Sequence, residues 1–337
     1  MAEAPELVET DEIVEVILEE HPTYPRAKGL PRFASRTGVK TRRFIRPLAE
    51  VRKKVPVEVH NDAVVAGLIE LGVTASERAL ANAGVQAHQI RTFITIHATG
   101  HMHPSLADHV GERIGLPADV VTIPMTELAC AGGAHALALA SKLARPTEPV
   151  LVMGAEVLSA AFQLEADIDV EHMGFKILFG DGGAATVVTA ERPAGPSFAI
   201  TDSWQYRHPN SLDFYRSRHD QYGIHFDSTK AALDAVGHVV PKIPWLRDND
   251  AWDPQFGIIH PGSKLILEKV VEHRGCSEDA MRYSTAALKH GGNWGAPTLF
   301  HVFHHAFDNP PPAGADGVAM SFGPGFRIEA SLLRYLP

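Results

Sequence analysis

The sequence predicts an α/β protein built from two similar βα halves. Apolar runs typical of buried strands alternate with Ala/Leu-rich helical patterns along most of the chain. Two of these runs, FITIH and FGIIH, end at His97 and His260. Cys130 follows His97 by 33 residues (97 to 130), and Asn293 follows His260 by the same number (260 to 293). An apolar strand-like run then follows in both places, VLVMG in one and GVAMSFG in the other. This repetition indicates a duplicated βα unit.

The length and composition fit two core-bearing halves, which we place at residues 1–190 and 191–337. The chain has 337 residues, of which 45% are hydrophobic and 21% charged. No stretch approaches 18 consecutive apolar residues, and the first residues, MAEAPELVETDEIVEV, are acidic where a secretory signal would be basic and then apolar. We therefore expect a cytoplasmic protein. Its net charge of −9 argues against nucleic acid or an anionic membrane as a partner.

The elements follow from the local patterns in chain order. The acidic residues 1–30 predict a short helix leading into a loop. The next part of the chain predicts a helix ending at Ala83, a strand at 93–97, a helix at 105–114 and a strand at VVTIP. A helix of small residues then follows Cys130, and a strand follows at VLVMGAE. Residues 178–188 predict a glycine turn and a strand, and a further region begins after the Pro/Gly break at 193–196.

A basic segment stands out in this acidic protein. Residues 32–47, RFASRTGVKTRRFIRP, concentrate arginines and a lysine. Arginine binds phosphate through a forked pair of donors, so the segment suits the phosphates of a nucleotide-bearing substrate. A solvated charged face is the alternative interpretation.

The two cysteines are too few for a disulfide framework and are interpreted as free thiols. Cys130 follows a predicted strand and precedes the Gly132–Gly133 helix start, where the helix dipole and free N–H groups favour a thiolate. A small buried hydrophobe is the alternative. Cys276 has polar neighbours and no such helix start, which indicates a structural or surface thiol.

His260 and Asn293 complete a set of residues suited to thioester chemistry. His260 ends a predicted buried strand before a Pro-Gly turn, where a base or hydrogen-bond donor is useful, and Asn293 lies among glycines, where it could also be a plain turn residue. A thiolate can attack an acyl thioester while His and Asn donate hydrogen bonds to the oxygen that becomes negative. Papain-like proteases use the same residue types, but their Cys-Gly-Ser-Cys-Trp motif does not resemble the LACAGG of this chain.

The nineteen histidines invite a metal interpretation, which the spacing does not favour. The local clusters are GHMHP, with His101 and His103, and HVFHH, with His301, His304 and His305. Neither has the i, i+4 pairing with a Glu or a cysteine at zinc-ligand spacing. We expect no metal, and interpret these histidines as exposed or satisfied in the core.

Five motifs together resemble a known family. TELACAGGAHAL, LFGDGGAA, IIHPGSKLIL, GGNWGAP and SFGPGFRIE occur in the order seen in chalcone synthase-like type III polyketide synthases of the thiolase superfamily, with ketoacyl-ACP synthase III as a more distant relative. The resemblance covers roughly residues 30–330. It implies a five-layered αβαβα thiolase fold, a homodimer, and a catalytic triad of Cys130, His260 and Asn293.

The same resemblance implies roles for further residues. Phe179 and Phe226 match two phenylalanines that form a gate between the coenzyme A tunnel and the reaction cavity, and Gly323 and Gly325 match the loop that shapes the cavity beside the nucleophile. The remaining matches are Arg32 and Arg36, which would hold coenzyme A phosphates, and His103, which would cross into the partner subunit's cavity. No cofactor is expected beyond the substrates acyl-CoA and malonyl-CoA.

Three departures from the plant enzymes of this family are visible. HPGS replaces their HPGG, Trp294 beside Asn293 is bulky, and His103 is polar where they carry an apolar side chain, which suggests an unusual starter or product. The implied function is decarboxylative Claisen condensation of an acyl thioester with malonyl-CoA through an acyl-cysteine intermediate. The alternatives are a non-condensing acyltransferase or starter-unit ketosynthase III-like enzyme acting on acyl-CoA or acyl carrier protein, and a non-catalytic partner subunit.

Overall fold

A computed structural model of the chain describes residues 1–164, 170–221, 223–247 and 252–337. The helices are α1 Thr10–Glu20, α2 Leu30–Arg36, α3 Leu48–Val51, α4 Val57–Ala83, α5 Leu106–Arg113, α6 Gly132–Leu143, α7 Val170–Leu178, α8 Lys230–Val239, α9 Pro244–Arg247, α10 Lys264–Glu272, α11 Arg282–Gly291 and α12 Thr298–Asp308. The strands are β1 Ala2–Glu3, β2 Glu6–Glu9, β3 Thr41–Phe44, β4 Thr92–Ile96, β5 Val121–Met125, β6 Val150–Val157, β7 Asp181–Val188, β8 Ser197–Arg207, β9 Tyr215–Asp220, β10 Gly223–Ser228, β11 Phe256–Ile259, β12 Asp316–Gly323 and β13 Arg327–Leu336. Among the helices of these ranges, none has the length and apolarity needed to cross a membrane.

Two mixed sheets repeat one pairing pattern. The first has the strand order β1-β7-β6-β4-β5 and the second β11-β12-β13-β8. In the first, β4 is parallel to β6, which is antiparallel to β7; in the second, β11 is parallel to β12, which is antiparallel to β13. The repeated pattern supports the duplication inferred from spacing, although α11 occupies the place in chain order that β5 has in the first half. The boundary at residue 190 stays a prediction.

Helices and sheets alternate in five layers. α6 packs against β4 and β6 of the first sheet and against β12 and β13 of the second, and α12 contacts β7 and β11. These two helices therefore lie between the sheets. α4 and α5 cover the outer side of the first sheet, while α11 contacts β11, and α8 and α10 share the core of the second sheet. The predicted αβαβα architecture is confirmed.

The central layer explains the small residues around Cys130. A Cβ on Gly132 would lie 2.6 Å from the side chain of Ile96, and one on Gly133 would lie 2.4 Å from the backbone oxygen of Ala296. Larger side chains would push α6 away from both neighbours, which a close-packed interior does not tolerate. β6 is buried at all eight positions, as its unbroken apolar sequence predicted for a strand covered on both faces.

The N-terminal region differs in part from the prediction. Residues 10–20 form the expected helix, but two short strands precede it. β1 pairs with Gly182 and Gly183 of β7, and β2 pairs with β3. Arg43 donates hydrogen bonds to the backbone oxygens of Ala4 and Pro5. The prediction missed these strands because their partners lie far away in sequence, and segments this short carry no periodic signal.

Candidate active site

Cys130 lies on a 3-10 turn, Ala129–Ala131, between β5 and the start of α6. Its side chain is half-buried. Glu127 and Ala129 just before it have φ of 63° and 43°, in the left-handed region that side chains with a Cβ rarely adopt. Such backbone strain costs on the order of 1–3 kcal/mol per residue and concentrates at functional sites. The turn presents the sulfur at the C-terminal edge of the first sheet.

Asn293 is held in one orientation by its own hydrogen bonds. Its backbone N–H donates to Leu178 O (2.9 Å), and its backbone oxygen accepts from Gly180 N (3.1 Å). Its side-chain Oδ1 accepts from Gly295 N at 2.7 Å, so the amide Nδ2 lies on the other side. From there Nδ2 is 3.9 Å from Cys130 Sγ and 3.4 Å from Gly262 O. The amide therefore presents its N–H donors beside the sulfur.

His260 follows β11 directly and is 1% exposed. Its backbone N–H donates to Met320 O at 2.8 Å, which extends the pairing of β11 with β12. Within the described residues neither ring nitrogen has a hydrogen-bond partner. Buried polar groups are normally paired, so an unpaired buried imidazole indicates a group that meets a ligand. Burial lowers the pKa of His260 to about 3, which keeps the ring neutral.

The three predicted triad residues come together in one site. An ideal Cβ on Gly262 would lie 3.8 Å from His260 Nε2, and the backbone oxygen of Gly262 contacts the Asn293 amide. Gly262 therefore lies between the His260 ring and the Asn293 amide, which in turn lies beside Cys130. The two halves of the molecule each supply part of this site, as the equal spacings in the sequence suggested.

The electrostatics of Cys130 differ from the expectation of a favoured thiolate. Burial raises the pKa of the Cys130 thiol to about 12, although the Asn293 amide lowers it and opposes the burial. The full helix α6 begins only at Gly132, two residues after the cysteine, so the thiol does not occupy the first helical turn itself. Desolvation of the charged form is the larger effect here. The sulfur therefore carries its proton near neutral pH in the free chain.

The loop after β12 packs against the nucleophile's turn. A Cβ on Gly323 would lie 2.6 Å from the Ala131 Cβ and 2.9 Å from Leu128 O. Gly325, with φ of +65°, turns the chain, and its nearest side-chain neighbours are Leu212 and Arg207. The structure thus places Gly323 directly beside the turn that carries Cys130 and Gly325 at the outer end of the loop.

Phe179 and Phe226 are brought together next to Asn293. Their rings are 5.5 Å apart and almost perpendicular, at 81°. Phe179 immediately follows α7, and its backbone pairs with that of Asn293 in an isolated parallel bridge. This pairing holds the Phe179 backbone directly beside Asn293. Phe226 lies in β10.

Arg32 and Arg36 are exposed on α2, and the ion pairs of the described residues do not include them. Beside the same helix, a cleft of about 210 Å³ opens between the first helices and α7; it is lined by Tyr24, Arg26, Gly29, Leu30, Phe33 and Met173. His103, by contrast, is exposed on the loop before α5. The single chain therefore does not bring His103 into the site with Cys130.

Trp294 turns away from the sulfur. It is 1% exposed, stacks on His301 at 4.2 Å between ring centroids, and donates from Nε1 to Gly291 O at 2.8 Å. A Cβ on Gly182 would lie 2.3 Å from its indole. The bulk noted in the sequence therefore fills the space over β7.

The sequence interpretation missed Glu156, a buried carboxyl that links two loops of the site. It accepts hydrogen bonds from Ala98 N (2.8 Å), Thr99 N (3.1 Å) and Thr99 Oγ1 (2.7 Å), and a Cβ on Gly295 would lie 3.2 Å from its Cγ. Burial raises the pKa of Glu156 to about 8. A charged residue inside the otherwise apolar strand VLVMGAEV was the available signal.

Comparison with known proteins identifies the family of the chain. The sequence model of the N-terminal domain of chalcone and stilbene synthases matches residues 17–192, and that of the C-terminal domain matches residues 227–337. The fold and the site define a type III polyketide synthase, a class of acyltransferases that condense an acyl thioester with malonyl-CoA with loss of carbon dioxide. The chain belongs to the chalcone and stilbene synthase family.

Bacterial proteins are among its relatives. The chain is 28% identical over 318 residues to a phloroglucinol synthase of Pseudomonas fluorescens, covering 93% of this chain and 90% of that one. It is 27% identical over 332 residues to a 1,3,6,8-tetrahydroxynaphthalene synthase of Streptomyces griseus, covering 97% and 88%. The structure of germicidin synthase from Streptomyces coelicolor superposes with a TM-score of 0.92 at 26% identity, covering 99% of this chain and 97% of that one.

Proposed function

We propose that the Cys130 sulfur attacks the carbonyl carbon of an acyl-CoA or acyl carrier protein thioester. The bond from that carbon to the carrier sulfur breaks, the proton of the Cys130 thiol passes by way of His260 to the departing sulfur, and the carrier leaves as its free thiol. His260 and Asn293 then bind the thioester carbonyl oxygen of malonyl-CoA through their N–H groups. The bond to the malonyl carboxylate breaks, carbon dioxide leaves, and the electron pair forms an enolate that these donors stabilise. The enolate carbon attacks the acyl carbonyl, the Cys130 sulfur departs, and the product is a 3-ketoacyl thioester that is two carbons longer.

The unpaired, buried His260 ring beside the oriented Asn293 amide is the observation that carries this proposal. The backbone of His260 is fixed at the end of its strand, and the Asn293 amide is oriented by Gly295 N. Donors that are already aimed at the developing negative charge cost no reorganisation at the moment of reaction. The neutral His260 ring is also a group that could accept the proton of the Cys130 thiol during acylation.

Substrate binding and assembly extend the proposal. Arg32 and Arg36, exposed beside the cleft on α2, suit the phosphates of coenzyme A. Among the strands of the described residues, β5 pairs with β4 alone, and Val121 on β5 is 58% exposed. A free strand edge with apolar side chains suits pairing with a second copy, so we include a homodimer in which His103 contributes to the partner's cavity.

The proposed reaction uses side chains and thioester substrates and needs no further cofactor. Cytoplasmic location is also part of the proposal, because both cysteines are free thiols.

Mass spectrometry of products tests the function. Purified protein is given carbon-13 malonyl-CoA and a panel of acyl-CoA starters, with Cys130→Ala as the control. We expect labelled pyrones, resorcinols or acids that disappear in the variant. Acyl-Cys130 without labelled carbon in any product would instead support the non-condensing acyltransferase.

A further inference from the structure

A third phenylalanine completes the aromatic pair at the proposed gate. Phe175 lies one helical turn before Phe179, so both rings emerge on the same side of α7. Phe175 stacks on Phe179 with centroids 5.1 Å apart and an interplanar angle of 20°. It also meets the ring of Phe226 at 6.4 Å and 61°. The three rings thus form a closed triangle rather than a pair.

A hydrogen-bond contact joins the two elements that carry these rings. His172 Nε2 is 2.8 Å from Asp227 Oδ1, and the other carboxylate oxygen of Asp227 is 3.7 Å from Arg218 Nε. His172 lies one turn before Phe175 on α7, and Asp227 directly follows Phe226 on β10. The side chains of His172 and Asp227 are only 14% and 27% exposed, so water screens this contact less than it would a surface pair.

These contacts restrict the movement of the three rings. Phe175 is half-buried and packs in the core of the second sheet, so its ring has little space into which to rotate. Widening the opening by moving α7 away from β10 would also break the contact between His172 and Asp227. A thioester whose acyl group is flat and wide therefore meets both a ring in its path and a wall that resists displacement.

We propose that Phe175 sets the width of the opening to the reaction cavity. The contact between His172 and Asp227 holds the Phe175 ring in place. The enzyme therefore takes slender, unbranched acyl thioesters and discriminates against aromatic and α-branched ones. This inference rests on the proposed function, and it takes Phe179 and Phe226 as the gate that the resemblance to type III polyketide synthases implies. Phe175 acts on specificity by its volume; His172 and Asp227 are positioning residues.

Acylation rates with matched substrates test the proposal. Intact-protein mass spectrometry of Cys130 follows acylation by hexanoyl-CoA, isobutyryl-CoA and benzoyl-CoA, each over a range of concentrations. In the unaltered enzyme we expect hexanoyl transfer to exceed benzoyl transfer in kcat/KM by roughly tenfold or more, the discrimination that steric fit typically provides. Equal rates for hexanoyl and benzoyl groups would overturn the proposal.

Variants distinguish the effect of the Phe175 ring from the effect of the contact between His172 and Asp227. Phe175→Ala should raise benzoyl transfer about tenfold and leave hexanoyl transfer within about twofold, since only the wide group meets the ring. Asp227→Asn should raise benzoyl transfer by a smaller factor, about threefold, through KM rather than the maximal rate, because the ring remains but its wall loosens. Phe307→Ala, which removes a 45% exposed ring from α12, is the matched control and should change neither rate.

Stability and function are checked separately. Phe175→Leu keeps apolar packing and should shift selectivity in the same direction if Phe175→Ala does not fold. An unchanged benzoyl-to-hexanoyl ratio in folded variants at position 175 would overturn the gate proposal. Failure of the unaltered enzyme to release carbon dioxide from malonyl-CoA while Cys130 is still acylated would instead refute the proposed function, and the acylation ratios would still decide the gate.

Discussion

The two halves of this protein use the same βα unit in different ways at the active site. In the first half, the segment before α6 carries Cys130 on a strained 3-10 turn. The Asn293 amide nitrogen lies 3.9 Å from the Cys130 sulfur. In the second half, the segment before α12 carries Asn293, which is fixed by hydrogen bonds of its backbone and its side chain.

Under the proposed function this difference corresponds to two chemical tasks. Cys130 would form and break a covalent bond, which suits a sulfur that is not held by several hydrogen bonds. The Asn293 amide would stabilise the enolate, which suits a donor that is already in place when negative charge develops. Duplication followed by specialisation of each half would produce this division, and the predictions below test whether it holds.

Replacement of the nucleophile should have the largest effect. In Cys130→Ala the acyl-enzyme cannot form, so condensation should fall to background, a loss of several orders of magnitude like that of other nucleophile deletions, about 10⁶-fold. Intact-protein mass spectrometry with hexanoyl-CoA should show no acyl adduct. Cys276→Ala is the matched control, because Cys276 is 3% exposed and lies outside the site, and it should keep the adduct. An adduct surviving in Cys130→Ala would contradict the assignment.

Replacement of the fixed amide should give the next largest effect and should act on a different step. Asn293→Asp removes the donors that face the sulfur and adds negative charge where the enolate forms, so decarboxylation should fall by about 10²–10³-fold, as for loss of one oxyanion donor. Acylation of Cys130 should fall much less. Release of labelled carbon dioxide and the rate of adduct formation measure the two steps, and equal losses in both would break the proposed division.

The buried carboxyl of Glu156 predicts a pH dependence of stability. Its pKa is raised from 4.5 to about 8 in the folded chain, so folding takes up a proton between these values. The contribution of Glu156 to the free energy of unfolding is therefore fully present below pH 4.5. It falls as the pH rises from 4.5 through the folded-state pKa of about 8, by up to roughly 1.4 kcal/mol per pH unit. Chemical denaturation from pH 5 to 8 should give a difference in free energy of unfolding between the unaltered protein and Glu156→Gln that changes with this slope. The opposing contributions of His260 and His301, whose pKa values are lowered to about 3, are the same in both proteins and cancel in the difference. Identical slopes in both proteins would show that Glu156 is ionised in the fold.

The close contact of Gly323 with the catalytic turn predicts a smaller effect. A Cβ there would collide with Ala131 and Leu128, so Gly323→Ala should reduce the free energy of unfolding by about 1–3 kcal/mol and displace the turn that carries Cys130. Gly195→Ala is the matched control, because a Cβ at Gly195 meets nothing within 4 Å. Urea denaturation of both variants makes the comparison. A Gly323→Ala protein as stable as the control would mean that the loop can move aside.

Much of the fold and of the triad could be predicted from sequence because their signals are local or repeated. The buried strands before His97 and His260 are unbroken apolar runs, and the equal spacings to Cys130 and Asn293 reported the duplication. The five motifs then gave the layered fold, which the two sheets confirm.

Other features depend on contacts that no local pattern reports. Strand β1 exists because residues 2 and 3 meet β7 about 180 residues later in the chain. The role of Glu156 depends on the loop at Ala98 and Thr99 folding over it. The raised pKa of Cys130 reflects burial between two layers, whereas the sequence showed only a nearby helix start. The position of Trp294 over Gly182 likewise depends on packing between β7 and α12.

The most direct test of the division between the halves is the rate at which the Cys130→Ala protein releases labelled carbon dioxide from malonyl-CoA. If His260 and Asn293 stabilise the enolate by themselves, release should continue within about tenfold of the unaltered enzyme, because the donors remain in place without the sulfur. If release falls with condensation by several orders of magnitude, the sulfur itself takes part in decarboxylation and the account is contradicted.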